Sequence, residues 1–448
     1  MRKYRADVVI IGGGISGLYA GYLANKLGYD AIVIRKGQGA TALSSGNIDI
    51  MGYYEGQSGW FDSGAEGIRF VTKRNPTHPY SLLDMTEGVP DLTIEHGKHA
   101  IMLTDDSIKE FNTFLGNIYT GSIAKNAYIG TTLGTIKPTG YLPFYMANGD
   151  LSRHNGTKIG VVGIYGYADF DAGYCADSLK HFSKQYHFGI DEICPVTIKF
   201  KGLTEQSNLD PFNIARKLEI DEYRQKFIDD IKTALGSKEV THLAFPPILG
   251  IDNAKVVVSD IENELGVKVF ELASLPPNTQ GLRLVSLMER TSGAKIQRGE
   301  VISFNSDGSK IKSVVVRDYS SKFLFEGDFF ILATGKFISD GIIDTGTLKE
   351  SVFGLPVFDG KVWVKHFDPL KMSERQLISP RGHRFLRIGI RVNYKMQPLN
   401  DEMNIAYENL VAAGSVIGGY DSAFELSGFG VAISTAYKAV QTLQELRG

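Results

Sequence analysis

The sequence predicts an α/β fold in which a parallel sheet is combined with an antiparallel meander and with an inserted α/β domain. Three observations support this prediction. A strand–glycine turn–helix–strand unit occupies residues 6–35, strands and helices alternate again over 158–275, and three strand-like runs follow one another over 295–325. Alternating strands and helices indicate a parallel sheet, and consecutive strands joined by short turns indicate an antiparallel one.

The length of the chain indicates more than one domain. Its 448 residues exceed the size of about 250–300 residues at which a single core stops growing. We expect a discontinuous domain with cap loops, formed by residues 1–157 and 276–448, and the inserted domain at 158–275. The turn after the first strand of the inserted domain lacks a full glycine fingerprint, so we predict a scaffold or cap there rather than a second nucleotide site.

Charge, cysteine content and hydropathy exclude several classes of protein. The formal net charge is −2, which gives no basic surface for nucleic acid. Cys175 and Cys194 are the only cysteines, too few for an iron–sulfur cluster or a cysteine-based zinc site. No run of about 18 apolar residues is present, and the N-terminal apolar run lacks the features of a signal peptide. We therefore expect a cytoplasmic protein without a metal centre.

Residues 6–35 give the strongest indication of function. Gly12, Gly14 and Gly17 satisfy the pattern G-x-G-x-x-G directly after an apolar strand and at the start of a helix that includes Ser16. In such a turn the first glycine permits the sharp bend, the second admits a pyrophosphate, and the third lets the helix pack closely on the sheet. The positive end of the helix would face the phosphates. The pattern predicts a Rossmann-like dinucleotide or flavin site, and a purely structural turn is the alternative.

Two features after the second strand of the βαβ unit bear on how the phosphate groups of a cofactor would be bound. Arg35 stands where an acidic residue usually binds the ribose, and a guanidinium cannot accept hydrogen bonds from hydroxyl groups. It suits a phosphate, either that of FMN, a ribose 2′-phosphate or FAD in an unusual pose, and a solvated arginine is an equally good alternative. The next loop offers polar groups for which we predict ligand contact: Ser44, Ser45, Gly46 and Asn47. Ordinary turn chemistry is the alternative for this loop.

Two later strands, within 328–335 and 409–420, also end in small residues and glycines, and a helix begins close to residue 430. Glycine turns of this kind bring backbone amides close to a ligand, and a helix start favours negative charge such as that of a reduced flavin. We predict cofactor contacts at six positions in these segments: Thr334, Gly335, Gly414, Gly418, Gly419 and Gly430. Three such turns favour a flavin over a nicotinamide.

Residues 381–391 form an unusually basic segment. It contains Arg381, His383, Arg384, Arg387 and Arg391. A phosphate clamp is one hypothesis, because guanidinium groups match phosphate oxygens, and a solvated basic loop is the favoured alternative. A general-base role for His383 is a weaker hypothesis. No catalytic residue is identified.

The three glycine turns, in this order, resemble those of the two-dinucleotide-binding-domain flavoproteins. Within that superfamily, the resemblance is closer still to the B subunits of the anaerobic glycerol-3-phosphate dehydrogenases. The similarity extends over nearly the whole chain and includes loops as well as turns. It is most evident in residues 44–49, 78–83, 161–164, 213–216, 275–277, 281–284 and 413–419.

This resemblance implies a flavin-bearing enzyme subunit, assigned FMN in that family, and Arg35 agrees with FMN. The complex would oxidise sn-glycerol 3-phosphate to dihydroxyacetone phosphate. An FAD-bearing subunit would carry the substrate chemistry, and a membrane-associated iron–sulfur subunit would pass electrons to a quinone. This chain would then relay electrons at the inner face of the membrane. The alternatives are a stand-alone FAD-dependent oxidoreductase for another small anion and a flavin-free assembly subunit.

Overall fold

The computed structural model describes residues 2–86, 89–90, 95–200, 209–276, 278–376 and 379–447. Pro277, which belongs to one of the segments that carry the resemblance, lies outside these ranges. Packing divides the chain into two units. Residues 1–40, 48–117 and 288–448 form the first unit, and residues 41–47 and 118–287 form the second. The predicted inserted domain, 158–275, falls within the second unit, and its limits stay a prediction.

The helices of the described residues are α1 (Ile15–Lys26), α2 (Gly64–Thr72), α3 (Pro79–Leu83), α4 (Lys98–Phe114), α5 (Ala172–Gln185), α6 (Pro211–Leu218), α7 (Asp221–Leu235), α8 (Ala254–Leu265), α9 (Thr279–Thr291), α10 (Pro369–Met372), α11 (Arg384–Arg387) and α12 (Gly428–Arg447). Within the part of the chain that is described, none of them combines the length and the apolar character that crossing a membrane requires.

The strands are β1 (Arg2–Ile11), β2 (Ala31–Arg35), β3 (Met85–Thr86), β4 (Val89–Pro90), β5 (Tyr119–Gly121), β6 (Ala127–Gly130), β7 (Ile136–Thr139), β8 (Tyr141–Pro143), β9 (Asn155–Ile164), β10 (Gly189–Ile198), β11 (His242–Phe245), β12 (Lys268–Glu271), β13 (Lys295–Arg298), β14 (Glu300–Ser306), β15 (Ile311–Asp318), β16 (Ser321–Leu332), β17 (Ile342–Asp344), β18 (Leu348–Glu350), β19 (Val357–Asp359), β20 (Val362–Trp363), β21 (Gly389–Ile390) and β22 (Leu410–Ala412).

The main sheet of the first unit has the order β13–β2–β1–β16–β15–β14, with β22 also paired to β16. The strands β13, β2, β1, β16 and β22 run parallel, so their C-terminal ends lie at one edge. β16 has two partners besides β1. Its first half pairs with β15 in antiparallel fashion, and its last three residues pair with β22. The predicted combination of a parallel sheet with an antiparallel meander is confirmed.

The composition of the meander differs from the prediction in two details. The run 295–304 is interrupted at Gly299, where φ is +145° and a Cβ would lie 2.8 Å from the carbonyl oxygen of Arg317. This backbone conformation is open mainly to glycine. As a result β13 joins the parallel edge beside β2, while β14 pairs with β15. The runs near 322–325 and 328–332 are one continuous strand, β16.

Helix α1 is buried on nearly all sides. Its buried residues include Ile15, Leu18, Tyr19 and Leu23, and a helix that is apolar all round needs cover on every face. α12 packs along it, and α4 packs on α12. The Tyr19 hydroxyl donates to the carbonyl of Ser107 in α4 at 2.9 Å, which satisfies the one polar atom of this large side chain. The helix that carries the glycine pattern is therefore held rigidly.

The second unit contains a parallel sheet in the order β10–β9–β11–β12, as alternating strands and helices predict. The loop between β11 and α8 has the backbone amides that could bind an anion. One carboxylate oxygen of Glu219 accepts from the N–H groups of Ile251, Asp252 and Asn253 at 2.6–2.7 Å. A carboxylate of the protein thus fills the position where a phosphate would bind in a nucleotide site.

Glu350, at the end of β18, is a fully buried carboxylate in the first unit. Its two oxygens accept from the backbone N–H groups of Val352 and Phe353, each at 2.7 Å. Burial raises the pKa of Glu350 to about 7, although these backbone hydrogen bonds oppose the rise. The carboxyl group thus binds a proton more tightly in the folded state than in the unfolded one.

This raised pKa predicts a pH-dependent stability. The stability contributed by protonating Glu350 is fully present below the unfolded pKa of about 4.3 and is lost as pH rises through about 7. We expect Glu350→Gln to reduce the fall in melting temperature between pH 5 and pH 8, since a shift of this size corresponds to about 3 kcal/mol. Glu402→Gln, at an exposed site, is the control and should keep the wild-type profile. Equal pH profiles for Glu350→Gln and wild type would contradict this assignment.

Candidate functional site

Three neighbouring parallel strands of the first unit end in one row. Ile11 of β1 pairs with Leu332 of β16, and Leu332 pairs with Ala412 of β22. Ligands of open α/β sheets bind outside the carboxyl ends of the strands. The turns that follow these three residues, together with the first turn of α1, contain nine of the fifteen positions for which the sequence predicts cofactor contact.

Close packing explains two glycines of the pattern that begins in the first turn, which follows β1. At Gly12, φ is +125° and a side chain would collide with the carbonyl of Ala333, which follows β16. At Gly17, a Cβ would collide with the carbonyl oxygen of Gly12, so α1 crosses directly over its own turn. Gly14 is the N-cap of α1 and, as a glycine, has no side chain with which to cap this helix end. A helix N-terminus after a glycine turn is suited to an anionic group.

The second turn, which follows β16, and the third turn, which follows β22, contact each other and α1. Gly335 and Gly414 have φ values of +79° and +77°, and a Cβ at Gly335 would lie 3.6 Å from the hydroxyl of Ser415. A side chain at Gly414 would collide with the hydroxyl of Ser16. Ser16 in turn donates to the carbonyl of Ala432 in α12 at 3.1 Å. The three turns and the first turn of α1 therefore form one cluster.

Thr334 adds an unsatisfied polar atom to this cluster. Its hydroxyl is buried and has no hydrogen-bond partner among the described residues. Its backbone nitrogen lies 3.0 Å from the Cβ position of Gly12, directly beside the first turn. Burying a hydroxyl without a partner costs about 1–3 kcal/mol. A polar ligand at the turns would remove that cost, so the residues present fit a phosphate-bearing cofactor.

Arg35 is buried at the end of β2, with a side chain that is 7% exposed, and is not a solvated arginine. Its aliphatic part covers Gly13, where a Cβ would lie 2.6 Å from the Cβ of Arg35. Its guanidinium forms an ion pair with Glu289 of α9, whose side chain is 31% exposed. A charge this buried needs a partner, and Glu289 supplies it. Contact between Arg35 and a phosphate stays a prediction.

The remaining glycines of the third turn and of α12 have packing reasons of their own. A Cβ on Gly418 would lie 2.7 Å from the backbone nitrogen of Gly389 in β21. At Gly419, φ is +92° and a side chain would collide with the carbonyl of Thr77. Gly430 lies against the backbone of the segment before α2. These three positions lie around the cluster, and their contact with a cofactor stays a prediction.

The predicted loop residues 44–47 belong to the second unit and are hydrogen-bonded within it. Ser44 and Ser45 donate to neighbours in the same loop at 2.7 and 2.6 Å. Asn47 donates to the hydroxyl of Thr139 at 2.8 Å, and the carbonyl of Gly46 accepts from a buried tyrosine hydroxyl at 2.6 Å. Local hydrogen bonds thus account for the two serines, contacts with distant residues account for Asn47 and Gly46, and ligand contact stays a prediction.

The basic run 381–391 divides into paired and unpaired arginines. Three ion pairs involve it: Arg381 with Glu374, Arg384 with Asp359 and Arg387 with Glu55, at 2.6–3.2 Å. The ring nitrogen Nδ1 of His383 accepts from the backbone N–H of Glu374. Among the described residues, Arg391 has no carboxylate within ion-pair distance. Three of the four arginines thus have carboxylate partners, so the solvated, ion-paired loop stays the favoured alternative and the phosphate clamp stays a hypothesis.

The sequence did not point to a half-buried lysine beside the second turn. Lys336 follows Gly335, and its ammonium donates to the carbonyls of Leu386 and Tyr420 at 2.6 and 3.2 Å. Burial lowers the pKa of Lys336 to about 8, and the carboxylate of Asp421 opposes this shift. The usable signal was a lysine placed directly after a buried strand that ends in Ala-Thr-Gly. It gives the cluster a positive charge.

We expect Gly414→Ala to destabilise the protein by about 1–3 kcal/mol, because the new Cβ meets the Ser16 hydroxyl at a strained φ. Adding Ser16→Ala removes the collision with the hydroxyl but leaves the Cβ of residue 16 at 3.0 Å and the strained φ, so the double variant should recover part of the loss. Gly37→Ala is the matched control, since Gly37 is exposed and has open space around it. Free energies of unfolding in urea measure the effect. A Gly414→Ala protein as stable as Gly37→Ala would contradict the described contact.

Comparison with known proteins identifies the cofactor class. The family model described as "FAD binding domain" matches residues 7–431. The B subunit of the anaerobic glycerol-3-phosphate dehydrogenase of Mannheimia succiniciproducens is 27% identical, with 98% of each chain covered. The protein of the same name from Glaesserella parasuis is 28% identical, with 98% of this chain and 99% of that protein covered. A solved chain of E. coli quinol fumarate reductase aligns with 100% of this chain and 71% of its own length, at 9% sequence identity and a TM-score of 0.42.

These findings agree with the sequence and the geometry. The similarity to B subunits of anaerobic glycerol-3-phosphate dehydrogenase is confirmed over nearly the full length of the chain. The family match includes the turns after β1, β16 and β22, where the N-terminus of α1 and the Thr334 hydroxyl fit a phosphate-bearing cofactor. The flavin predicted from the three turns is confirmed. The chain belongs to the FAD-binding domain family and is a flavin-dependent enzyme.

Proposed function

We propose that this chain is the flavin-bearing B subunit of an anaerobic-type glycerol-3-phosphate dehydrogenase. The complex oxidises sn-glycerol 3-phosphate to dihydroxyacetone phosphate and passes the electrons to a quinone. The observation that carries the proposal is the alignment with relatives of that name, which covers 98% of this chain and 98% of the relative. An alignment that includes loops as well as turns favours the same role over a shared cofactor fold alone.

The proposed partners are an FAD-bearing catalytic subunit and a membrane-associated iron–sulfur subunit. The relatives are named as one subunit of a larger enzyme, which supports an assembly. Two cysteines in the whole chain are too few to bind a cluster here, so a partner has to supply it. The chain would then sit at the inner face of the membrane through its partners and relay electrons.

Residues of the three turns would hold the flavin. The first turn and the N-terminus of α1 would bind the diphosphate, and the Thr334 hydroxyl would donate to the cofactor. The proposed cofactor contacts are Gly12, Gly14, Ser16, Gly17, Arg35, Ser44, Ser45, Gly46, Asn47, Thr334, Gly335, Gly414, Gly418, Gly419 and Gly430. When bound, the flavin supplies the capacity to accept an electron pair and to release it. The half-buried, positively charged Lys336 would favour the added negative charge.

The pair of Arg35 and Glu289 supports FAD rather than FMN. Arg35 itself cannot accept hydrogen bonds from ribose hydroxyls, but it holds a carboxylate at the end of β2. An acidic group at this point of the fold is the usual acceptor for the adenosine ribose. We assign this role to Glu289, with Arg35 as the residue that positions it.

This assignment predicts a cofactor-specific effect. Glu289→Gln should weaken FAD binding about tenfold, since a hydrogen bond to a charged group contributes about 1.5–3 kcal/mol, and should change FMN affinity little. Glu300→Gln is the control, because Glu300 pairs with the neighbouring exposed Lys36 at 2.9 Å. Fluorescence titration of the flavin-free protein with FAD and with FMN gives the dissociation constant for each flavin. Equal weakening for the two flavins would show that the pair is only structural.

Anaerobic spectroscopy tests the proposed function. The purified chain should show flavin absorbance bands, and released cofactor should have the mass of FAD. In the complex with its partners, adding sn-glycerol 3-phosphate should bleach the flavin of this chain, whereas glycerol, which lacks the phosphate, should not. Absence of flavin bands after addition of FAD would contradict the cofactor assignment. A flavin that stays oxidised in the complex during glycerol 3-phosphate turnover would contradict the relay.

A further inference from the structure

One arginine of the basic run lies at a pocket of the first unit. The pocket is bordered by the β19–β20 hairpin, β21, α3 and the turn after β22. Thr77, Phe358, Gly389, Arg391 and Gly419 are among the residues that line it. Gly419 is also one of the predicted cofactor positions, so the pocket adjoins the third turn.

The charge of Arg391 is not balanced by the protein around it. Among the described residues, its nearest guanidinium contacts are the sulfur of Met403 at 3.7 Å and the ring of Phe358, whose centroid is 6.0 Å away. Neither group carries a charge. Arg391 is half-buried, and burial lowers its pKa. A partly desolvated cation without a counter-charge is costly to the fold, and an anion supplied from outside removes that cost.

The other arginines of the run show that this arrangement is specific to Arg391. Arg381, Arg384 and Arg387 each have a carboxylate at 2.6–3.2 Å. The four side chains lie within eleven residues, yet only the one that lines the pocket lacks such a partner in the described part of the chain. The unpaired charge therefore coincides with the cavity.

Backbone hydrogen bonds tie Arg391 to the third turn. Gly418 donates to the carbonyl of Ile390 at 3.0 Å, and Gly419 donates to the carbonyl of Arg387 at 2.8 Å. Ile390 also forms a parallel bridge with Ile417. The guanidinium is thus carried by a segment fixed to the turn, and a bound anion would lie beside that turn.

The lining of the pocket limits the kind of ligand. Four of the lining positions are glycines: Gly360, Gly389, Gly418 and Gly419. Apolar side chains such as Leu82, Ile417 and Val392 supply much of the remaining wall. Backbone-lined space with one cation, apolar walls and the ring of Phe358 suits a small anion, and the described lining residues include no second charge for a nucleotide.

We propose that Arg391 is a binding residue for the phosphate group of a small phosphorylated substrate. This inference rests on the proposed function, in which that substrate is sn-glycerol 3-phosphate. The inference goes beyond the proposed function because it assigns an anion site to this chain itself. The chain would then bind a phosphorylated compound in addition to relaying electrons.

Binding measurements on the full flavin-loaded chain test this site. Isothermal titration with sn-glycerol 3-phosphate should give a Kd that Arg391→Gln raises at least about tenfold, as expected for loss of a charge-assisted contact. Arg391→Lys should retain part of the affinity, because lysine keeps the positive charge but lacks the paired N–H donors of the guanidinium group. Arg381→Gln is the matched control, since it removes the same charge from an exposed pair. It should leave the Kd within about twofold.

Three ligands separate the failure of this inference from failure of the proposed function. Glycerol, without a charge, should not bind. If inorganic phosphate or succinate binds in an Arg391-dependent manner while glycerol 3-phosphate does not, the assignment of this site to the phosphorylated substrate is refuted. The proposed function then stands, because it places the substrate chemistry on the catalytic partner subunit. If glycerol 3-phosphate binds equally to wild type and Arg391→Gln, or if Arg381→Gln weakens binding as much, the site is refuted and the proposed function stands. Flavin absorbance verifies that each variant is folded and loaded.

Discussion

The contact between three glycine turns is the constraint on which the first unit depends. Ile11, Leu332 and Ala412 end their strands in one row, so the chain has to turn three times within a small space. Side chains at Gly12 or Gly414 would collide with a neighbouring turn or with α1. The close approach leaves backbone amides and one unpartnered hydroxyl at the edge of the sheet, which is the chemistry that a phosphate-bearing flavin needs.

Buried charges explain much of what surrounds this cluster. Arg35 is buried and paired with Glu289. Burial opposes the ionisation of Lys336 and Glu350, and each of these groups is held by backbone hydrogen bonds. Such groups are costly unless their hydrogen bonds are made. Arg391 is the exception within the described residues, because no carboxylate accompanies it. A cation of this kind beside a cofactor turn is a natural place for an anionic substrate group.

Local sequence patterns predicted the glycine turns because each turn is encoded by adjacent residues. The βαβ unit, the strand before Thr334 and the strand before Gly414 were all recognisable from apolar runs that end in glycine. Partners distant in the chain were not predictable: Glu289 lies 254 residues from Arg35, and no local pattern connects them. The parallel pairing of β13 with β2 and the burial of Lys336 likewise depend on long-range packing.

The central claim is that all three turns hold one flavin, and amide hydrogen exchange measures this most directly. The flavin-free chain and the FAD-loaded chain would be compared peptide by peptide. Protection on FAD binding should appear together at residues 12–17, 333–336 and 413–416. Protection at the first turn alone, or at segments outside all three, would contradict the claim that the ends of β1, β16 and β22 form a single cofactor site.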